Sequence, residues 1–390
     1  MVKEFSWKVG GETGEGIDST GEIFGVALNN MGYYTYAYRH FPSRIRGGHT
    51  NYKIRISPRP IRSGGNTLDM LIAFDQESID HNYAELVPNG IIVYDAGAFE
   101  PRLPNGNAKG VRVIGVPLTE LARQQGLAIM KNIVAVGVSA GLLGIGLEYF
   151  RPAIEARWGA KGPKVIASNL NALKAGAVYC QENYGQLCQL PPPETHERHY
   201  FLTGNEALAF GALVGGCRFV AAYPITPASE IMEWLIPRLP KYGGVVVQAE
   251  DELAAINMII GAAFAGTRAM TSTSGPGLSL MMEALGLAGI TETPIVIADV
   301  QRAGPSTGMP TKVEQSDLNQ AVYGSHGEIP RIVISLATVE DCFYLAAEAF
   351  NLAERYQCPV ILLSDLALGL SKNSIEKLDL ERVRIDRGLL

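Results

Sequence analysis

Residues 219–230, FVAAYPITPASE, join a short apolar run to a polar segment through two prolines. The apolar run predicts a buried β-strand, and the residues after Pro227 predict a helix. Each proline fixes its own φ and disfavours helical backbone in the residue before it, so Ile225 and Thr226 are predicted to lie in a rigid loop. Because open α/β sheets bind ligands at the carboxyl ends of their strands, Thr226 is a candidate ligand contact. The same residues also fit a simple helix start, with Thr226 as the N-cap, Pro227 as the first helical residue and Glu230 in the first turn.

The composition is that of a globular protein with extensive cores and no strong charge bias. The chain has 390 residues, of which 47% are hydrophobic and 18% are charged, and its net charge is −6. This length allows two or three domains. The lack of a basic run argues against a nucleic-acid partner. The five cysteines are scattered without CxxC spacing, which predicts reduced core residues and no metal or iron–sulfur site on this chain.

A cytoplasmic location without membrane contact is predicted. The first six residues, MVKEFS, do not begin a signal-peptide apolar region. The most apolar run, from Ile133 to Leu147, contains Ser139 and several glycines and is short for a membrane span. It therefore predicts a buried helix.

Short β-rich runs alternate with helical stretches along the chain, which predicts an α/β fold with mainly parallel strands. The alternation stops at Pro191-Pro192-Pro193, because three successive prolines cannot continue a helix or a central strand. We therefore predict a first domain over 1–190, an extended linker over 191–200 and a second domain over 201–390. The predicted strands are 6–10, 34–39, 51–56, 70–73, 90–95 and 111–116 in the first half, and 219–223, 245–248, 269–273, 295–300, 331–335 and 360–364 in the second.

Two glycine-rich segments of the first half are candidate phosphate sites. Residues 10–16, GGETGEG, match neither the dinucleotide nor the Walker A pattern. Their Glu12 and Glu15 place negative charge where an anion would bind, so a tight turn is favoured over a ligand site. Residues 43–49, SRIRGGH, carry two arginines that could hold the nucleotide end of a coenzyme. A solvated basic turn closing a hairpin is the favoured interpretation of that segment.

Polar residues follow several predicted strands of the second half. Glu250, Asp251 and Glu252 precede a nearly uncharged helix. Acids at this position commonly stabilise the helix dipole, and that is one interpretation. The other is that the carboxyl of Glu252 is partly desolvated by the apolar helix. Residues 271–277, TSTSGPG, are small enough to leave room for a flat heterocycle. Arg302 leaves a strand at its carboxyl end, where carboxylate capture and a plain surface arginine are both open interpretations.

Taken together, these motifs resemble the α subunit of 2-oxoacid:ferredoxin oxidoreductases, in the 2-oxoglutarate-like form that has a γ domain fused ahead of the α domain. The first half, with GGETGEG and FPSRIRGGHTNYKIRIS, resembles the γ domain. The second half, with YPITPASE, QAEDELAAINMIIGAAFAG, TSTSGPG and QRAGPSTGMPTKVEQSDL, resembles the pyrimidine-binding domain of thiamine-diphosphate enzymes. Members of this family usually continue into a further C-terminal domain, and these residues contain no segment that resembles it.

The resemblance implies how the chain would hold thiamine diphosphate. Glu252, nine residues before Gly261, would hydrogen-bond the aminopyrimidine ring, with neighbouring Glu250 as the alternative acid. The cofactor would also contact Pro224, Ile225, Ser274 and Gly275.

The resemblance also implies substrate contacts. Thr226, Arg302 and Thr311 would bind the 2-oxoacid, and Thr226 and Arg302 would take part in catalysis together with Glu252. Coenzyme A would contact the basic turn through Ser43, Arg44, Arg46 and Gly47.

The implied reaction is the oxidative decarboxylation of a 2-oxoacid with coenzyme A, giving acyl-CoA, CO2 and reduced ferredoxin. 2-Oxoglutarate is favoured over pyruvate and branched-chain 2-oxoacids. The diphosphate–Mg²⁺ site and a [4Fe-4S] cluster are expected on a β subunit, so activity is expected only in an αβ or (αβ)2 assembly. Two alternative functions of other kinds remain open. The chain could be a nucleotide-binding module built on residues 10–16, or a non-catalytic assembly fragment.

Overall fold

The computed structural model describes residues 4–42 and 47–389 and divides the chain into two units. Met1–Phe201 with Lys372–Glu376 form the first unit, and Leu202–Ser371 with Lys377–Leu390 form the second. Each unit has a β-sheet covered by helices, so the predicted α/β class is confirmed.

A mixed sheet of eight strands organises the described part of the first unit. Its strands are β1 (Phe5–Glu12), β2 (Tyr34–His40), β3 (His49–Ser57), β4 (Leu68–Ala73), β5 (Leu86–Asp95), β6 (Arg112–Val116), β7 (Tyr200–Thr203) and β14 (Lys372–Ile375). Its helices are α1 (Ile17–Asn30), α2 (Gln76–Asn82), α3 (Leu118–Gln125), α4 (Lys131–Leu143), α5 (Arg151–Trp158) and α6 (Pro163–Asn183). The strand order is β6-β5-β4-β1-β3-β2-β14-β7. Strands β1, β4, β5 and β6 are parallel, whereas β3 and β2 continue the sheet from β1 as antiparallel neighbours.

The core of the first unit is centred on Trp7 of β1. Its side chain is fully buried, its ring lies 4.6 Å from that of Phe24, and its indole N–H donates to the hydroxyl of Ser139 at 3.0 Å. Ser139 belongs to α4, so the apolar run that contains it forms a buried helix, as predicted. Helices α4 and α6 approach closely at Gly176, where a Cβ would collide with the Val134 carbonyl.

The proline-rich segment forms part of the first unit. Residues 185–199 form neither helix nor strand. The Tyr33 hydroxyl donates to the Pro191 carbonyl at 2.8 Å, and the Asn29 amide donates to the His199 carbonyl at 2.9 Å. These bonds hold both ends of the segment.

Strand β14 is an element that sequence reasoning missed. It pairs antiparallel with β2, with Lys372 opposite Ala37 and Asn373 opposite Tyr36. The buried hydroxyls of Ser374 and Thr35 lie 2.8 Å apart although 339 positions separate them in the chain. A strand of the first unit therefore interrupts the range 201–390 that was predicted as one domain.

A parallel sheet organises the second unit. Its strands are β8 (Phe219–Ala222), β9 (Val245–Gln248), β10 (Ala269–Thr273), β11 (Val296–Gln301), β12 (Ile332–Ser335) and β13 (Val360–Asp365). Its helices are α7 (Gly204–Val214), α8 (Ser229–Leu235), α9 (Glu252–Phe264), α10 (Gly275–Leu280), α11 (Met282–Ile290), α12 (Leu318–Tyr323), α13 (Val339–Tyr356) and α14 (Leu366–Leu370). The strand order is β12-β13-β11-β10-β8-β9, and all the pairings between neighbours in the described chain are parallel. This confirms the mainly parallel sheet predicted for the second half.

Helices cover this sheet through apolar side chains. Ile297 of β11 and Ile361 of β13 share one core with buried residues of α9, α10 and α11. Helices α7 and α13 pack against each other so closely that a Cβ at Gly211 would collide with the backbone of Phe343. Over residues 4–42 and 47–389, no helix has both the length and the apolar character that a membrane span requires.

Candidate active site of the second unit

The motifs singled out in the second half follow strands β8, β9, β10 and β11. These four strands are parallel neighbours, so their carboxyl ends lie at the same edge of the sheet. Ligands bind outside that edge in open α/β sheets. The topology therefore gathers the segments that begin at Tyr223, Ala249, Ser274 and Arg302.

The segment after β8 forms a turn before the next helix begins. The Ile225 carbonyl accepts the backbone N–H of Ala228 at 2.8 Å and that of Ser229 at 3.0 Å, and the Thr226–Pro227 peptide bond is cis. Helix α8 starts at Ser229 with Ala228 as its N-cap. The alternative in which Thr226 caps the helix is therefore wrong, because two further residues of turn separate Thr226 from the helix.

A buried side-chain amide hydrogen-bonds the backbone of this turn. The Asn205 side chain of α7 is fully buried and donates to the Pro227 carbonyl at 2.8 Å. Thr226 itself is half-buried, while Tyr223 and Pro224 are exposed. The turn thus presents residues 223–226 at the strand ends on a backbone fixed by a buried contact.

Arg302 connects this turn to the loop that follows β11. Its side chain is 6% exposed, and its two terminal nitrogens donate to the Thr226 carbonyl at 2.6 Å and to the Thr307 carbonyl at 2.7 Å. Its Nε is buried and has no hydrogen-bond partner in the described structure. Burial lowers the pKa of Arg302, and the carboxylates of Asp317 and Glu252 partly oppose that effect. The structure therefore brings Thr226 and Arg302 together, through the backbone of the threonine.

Thr311 lies in the same loop as Thr307. The Ala303 carbonyl accepts from Met309 N–H at 2.9 Å, and Ala303 N–H donates to the Lys312 carbonyl at 2.9 Å. These bonds fold the loop back, so that Met309 and Lys312, on either side of Thr311 in the chain, pair with the residue that follows Arg302.

The three acids before α9 have different environments. Asp251 is the N-cap, and its carboxylate accepts the Ala254 N–H at 2.7 Å. Glu250 is exposed, whereas Glu252 is only 6% exposed. A Cβ at Gly277 would lie 2.7 Å from the Glu252 carboxyl oxygen, so glycine at 277 leaves room for this side chain. Asp251 is therefore an ordinary helix cap, whereas Glu252 is the acid whose side chain is buried.

Small hydroxyl residues of β10 and the following loop line the same edge. Ser274 is fully buried, and its hydroxyl has no hydrogen-bond partner in the described structure. Gly275 follows it at the start of α10. Buried polar atoms are normally hydrogen-bonded, so the free hydroxyl of Ser274, at the same sheet edge as the buried acid Glu252, fits the polar edge of a bound heterocycle such as an aminopyrimidine.

Two site residues were missed by sequence reasoning, Asp299 of β11 and Asp317 before α12. Asp299 is fully buried and Asp317 is 8% exposed. Burial, and then the charge of Asp317, raise the pKa of Asp299 well above its ordinary value. An aspartate inside the apolar run VIADVQ was the available sequence signal.

The glycine-rich loop of the first unit is a tight turn. Gly14 and Gly16 have φ of 106° and 83°, values that favour glycine. The Glu15 carboxylate folds back to accept the Glu12 N–H at 2.9 Å and pairs with Lys131 at 2.6 Å. The loop therefore satisfies a backbone N–H and a lysine with its own carboxylate, which favours the turn interpretation and gives no support to a nucleotide module.

The basic segment of the first unit connects β2 to β3, which pair antiparallel from Tyr34–Ser57 to His40–Asn51. Ser43, Arg44 and Arg46 lie outside the described residues. Gly47, with φ of 78°, is described next to them. Their expected contact with coenzyme A stays a prediction.

Both halves of the chain match protein-family models. The family model "Pyruvate ferredoxin/flavodoxin oxidoreductase" matches residues 6–179, and "Pyruvate flavodoxin/ferredoxin oxidoreductase, thiamine diP-bdg" matches residues 210–387. The chain is 37% identical to a 2-oxoacid:ferredoxin oxidoreductase subunit alpha from Sulfolobus sp., over 98% of this chain and 68% of that protein. The chain belongs to the 2-oxoacid:ferredoxin oxidoreductase α-subunit family. The resemblance predicted from the motifs, and the enzyme class it implied, are confirmed.

Two further relatives of this oxidoreductase subunit carry substrate names. The 2-oxoglutarate oxidoreductase subunit KorA from Mycobacterium tuberculosis is 35% identical over 92% of this chain and 60% of its own length. A solved structure of 2-oxoglutarate:ferredoxin oxidoreductase from Magnetococcus marinus, with 2-oxoglutarate, coenzyme A and succinyl-CoA bound, has a TM-score of 0.91 and 39% identity. It covers 100% of this chain, which in turn covers 68% of that protein.

Proposed function

We propose that this chain is the subunit that binds the aminopyrimidine end of thiamine diphosphate and the 2-oxoacid in a 2-oxoacid:ferredoxin oxidoreductase. The observation that carries the proposal is the grouping of a buried acid, an unpaired buried hydroxyl and a buried arginine at one sheet edge: Glu252, Ser274 and Arg302. The reaction is oxidative decarboxylation with coenzyme A, giving acyl-CoA, CO2 and reduced ferredoxin.

Each residue has a distinct task in this proposal. Glu252 hydrogen-bonds the ring nitrogen of the aminopyrimidine, and its burial favours it over Glu250, which is exposed. Ser274 supplies a hydroxyl to the same ring, with Pro224, Ile225 and Gly275 lining it. The cofactor supplies the carbanion chemistry, and the protein supplies its orientation.

The 2-oxoacid lies against the loops that Arg302 joins. Arg302 already donates to two carbonyls, so its role is to fix the Thr226 turn and the Thr307 loop and to provide a permanent positive charge beside the substrate carboxylate. Its Nε–H has no partner in the described structure and each terminal nitrogen keeps a second N–H, so these are the donors left for that carboxylate. Thr226 and Thr311 supply hydroxyls from the two joined loops.

2-Oxoglutarate is the proposed substrate, because relatives that cover most of this chain are named for it. Pyruvate and branched-chain 2-oxoacids are the alternatives. Coenzyme A is the proposed acyl acceptor and ferredoxin the electron acceptor.

A β subunit is proposed to complete the site. In the described residues, no group of three or more His, Cys, Asp or Glu side chains is placed to hold a metal, and all five cysteines are free thiols. The diphosphate–Mg²⁺ site and the [4Fe-4S] cluster are therefore assigned to the partner, in an αβ or (αβ)2 assembly.

An exposed apolar surface on α9, α10 and α11 supports the docking of that partner. We call it the α9–α11 face; its members are Leu253, Met258, Phe264, Leu280, Leu287 and Ile290. Phe264 is 77% exposed and Ile290 is 81% exposed. Large apolar side chains exposed on consecutive helices are candidates for protein–protein contact. It adjoins the site, because α9 begins at Glu252 and α10 begins at Gly275.

Co-expression with the β subunit tests the proposal. We expect viologen reduction that requires both coenzyme A and a 2-oxoacid, with 2-oxoglutarate turned over faster than pyruvate or a branched-chain 2-oxoacid. Phe264→Glu with Ile290→Glu is expected to abolish co-purification, whereas Tyr356→Glu, at an exposed position of α13 outside the face, leaves it intact. An assembled complex without 2-oxoacid-dependent reduction would contradict the proposed function.

A further inference from the structure

The buried side chain of Gln301 joins the end of strand β11 to two other segments of the second unit. Gln301 is the last residue of β11 and is 5% exposed. Its amide oxygen accepts the backbone N–H of Asp317 at 3.0 Å, and its amide nitrogen donates to the backbone carbonyl of Ser364, in β13, at 3.1 Å. One side chain thus holds both the residue before α12 and the neighbouring strand.

Both hydrogen bonds of this amide have fixed directions, because both partners are backbone groups. A backbone N–H only donates and a backbone carbonyl only accepts. Rotating the amide by half a turn would bring two donors together at Asp317 and two acceptors together at Ser364. A methionine of similar length makes neither bond, and an ionised glutamate makes only the bond with Asp317. Among side chains of this length, the neutral amide of Gln301 is the one that satisfies both partners.

The two bonds also hold the loop that follows β11. This loop, residues 303–316, begins after Arg302 and ends at Asp317; we call it the β11 loop. Because Asp317 is bonded to Gln301, the two ends of the loop are fixed next to each other. The same strand end carries Arg302, whose side chain donates to the Thr307 carbonyl within the loop at 2.7 Å. Gln301 is therefore placed to fix Arg302 and the β11 loop together.

The β11 loop has little buried surface of its own. Most of its residues are exposed, and Thr311 is half-buried. A second tie to β13, in which the Gln315 amide donates to the Asp365 carboxylate, is exposed. Water replaces an exposed hydrogen bond at small cost, whereas a buried donor or acceptor without a partner costs its full desolvation free energy. The bonds of Gln301 are buried, so they contribute more to the position of the loop than the Gln315 bond does.

We propose that Gln301 is a positioning residue for the 2-oxoacid, which holds Arg302 and Thr311 at the separation that the substrate requires. This inference rests on the proposed function for the roles of Arg302 and Thr311. It adds a residue that touches neither substrate nor cofactor and that acts through the β11 loop, whose ends it joins. Coenzyme A binding is independent of Gln301, since the expected coenzyme A contacts lie in the first unit.

The variant Gln301→Met in the co-expressed complex tests the proposal. We expect kcat/KM for the 2-oxoacid to fall by about 10–100-fold, the range for a contact displaced by up to about 1 Å. The dissociation constant of coenzyme A, measured by calorimetry, should stay close to that of the wild type. Gln320→Met is the matched control and should change neither quantity, because Gln320 donates one exposed hydrogen bond, to the Ser279 hydroxyl at 2.8 Å.

Two kinetic results would overturn the inference. One is a folded Gln301→Met complex that keeps the kcat/KM of the wild type. The other is a loss of coenzyme A affinity as large as the loss of kcat/KM, because that result indicates general destabilisation. A wild-type complex that oxidises no 2-oxoacid refutes the proposed function and the inference with it.

Hydrogen exchange measured by mass spectrometry follows the loop without turnover. In Gln301→Met, peptides from residues 303–316 are expected to exchange faster than in the wild type, whereas peptides from α13 keep their protection. In Gln320→Met, both sets of peptides should exchange as in the wild type. Unchanged exchange of the β11 loop in Gln301→Met overturns the inference and leaves the proposed function standing.

A double variant shows whether Gln301 acts through the loop. Thr311→Val removes the hydroxyl that the loop presents and keeps the size of the side chain. If Gln301 positions Thr311, Gln301→Met should reduce kcat/KM less in the Thr311→Val background than in the wild type. Equal reductions in the two backgrounds would overturn the proposal. If Gln301→Met does not assemble with the β subunit, Gln301→Glu replaces it in every measurement, because its carboxylate still accepts the Asp317 N–H while the donor to Ser364 is lost.

Discussion

Replacing Arg302 with lysine tests whether the arginine acts by joining two loops. Lysine keeps the positive charge, but a single ammonium group cannot reproduce the planar fork that contacts the carbonyls of Thr226 and Thr307 at 2.6 and 2.7 Å. A hydrogen bond to a charged donor contributes about 1.5–3 kcal/mol, and the abandoned carbonyl lies in a partly buried setting. Losing one of the two bonds should cost about 2 kcal/mol, which corresponds to about thirtyfold in kcat/KM if the loop geometry is needed in the transition state.

The assay is steady-state viologen reduction by the co-expressed complex, with kcat/KM measured for the preferred 2-oxoacid. Urea unfolding of the full chain provides a second measurement, in which Arg302→Lys should lower the free energy of unfolding by an amount of the same order. Arg238→Lys is the control, because Arg238 also donates to a backbone carbonyl, that of Trp234 at 2.8 Å, at an exposed position.

Arg238→Lys is expected to change kcat/KM and the free energy of unfolding only slightly, since exposed charged groups contribute little to stability. A value of kcat/KM within twofold of the wild type in Arg302→Lys, together with an unchanged unfolding free energy, would refute the loop-joining role. A rise in KM with unchanged stability would instead show that the main role of the arginine is to contact the substrate.

Two other substitutions give distinct outcomes. Glu252→Gln should reduce activity by about 10²–10⁴-fold, the range of a lost proton-exchanging group, whereas Glu250→Gln should retain most of it because that carboxylate is exposed; the opposite ranking would show that Glu250 is the essential acid. Asp299→Asn should become more stable relative to the wild type as the pH rises. The folded-state pKa of Asp299 is raised above the 3.8 of an ordinary aspartate, so its contribution to stability is complete below that value and is lost as the pH rises through the folded-state pKa. Urea unfolding of both chains at pH 5 and pH 8 measures this difference, and an equal difference at the two pH values would contradict the assignment of the raised pKa.

Local sequence patterns were sufficient for most of the regular elements. The predicted strand 245–248 has the bounds Val245–Gln248 in the structure, since it is an apolar segment bounded by turn residues. The short strand β14 was missed because Lys372-Asn373-Ser374-Ile375 has no β-rich character of its own. Its pairing with β2 depends on residues more than 300 positions away.

In the candidate site, too, some residues could be predicted from local sequence, whereas others depend on contacts between distant segments. Glu252 and Arg302 were identified from their positions at predicted strand and helix ends, where parallel topology places functional groups. Which of the three acids is buried could not be read from their spacing, because it depends on the close approach of Gly277 to α9. The N-cap role that one of the two interpretations gave Thr226 belongs to Ala228, since the turn continues for two residues before α8 begins.

The sequence by itself determined the α/β class, the family and the set of segments from which the site is built, because these depend on local periodicity and on long motifs in a fixed order. Only the tertiary structure decided how the charges of these segments meet. It places the Arg302 side chain on the Thr226 carbonyl, buries Glu252 while Glu250 stays exposed, and buries both Asp299 and Asp317. The physical reason is that burial and charge pairing arise from contacts between strands and loops far apart in the chain. The YPITPASE turn belongs to the candidate site because the side chains of Asn205 and Arg302 donate hydrogen bonds to its backbone carbonyls.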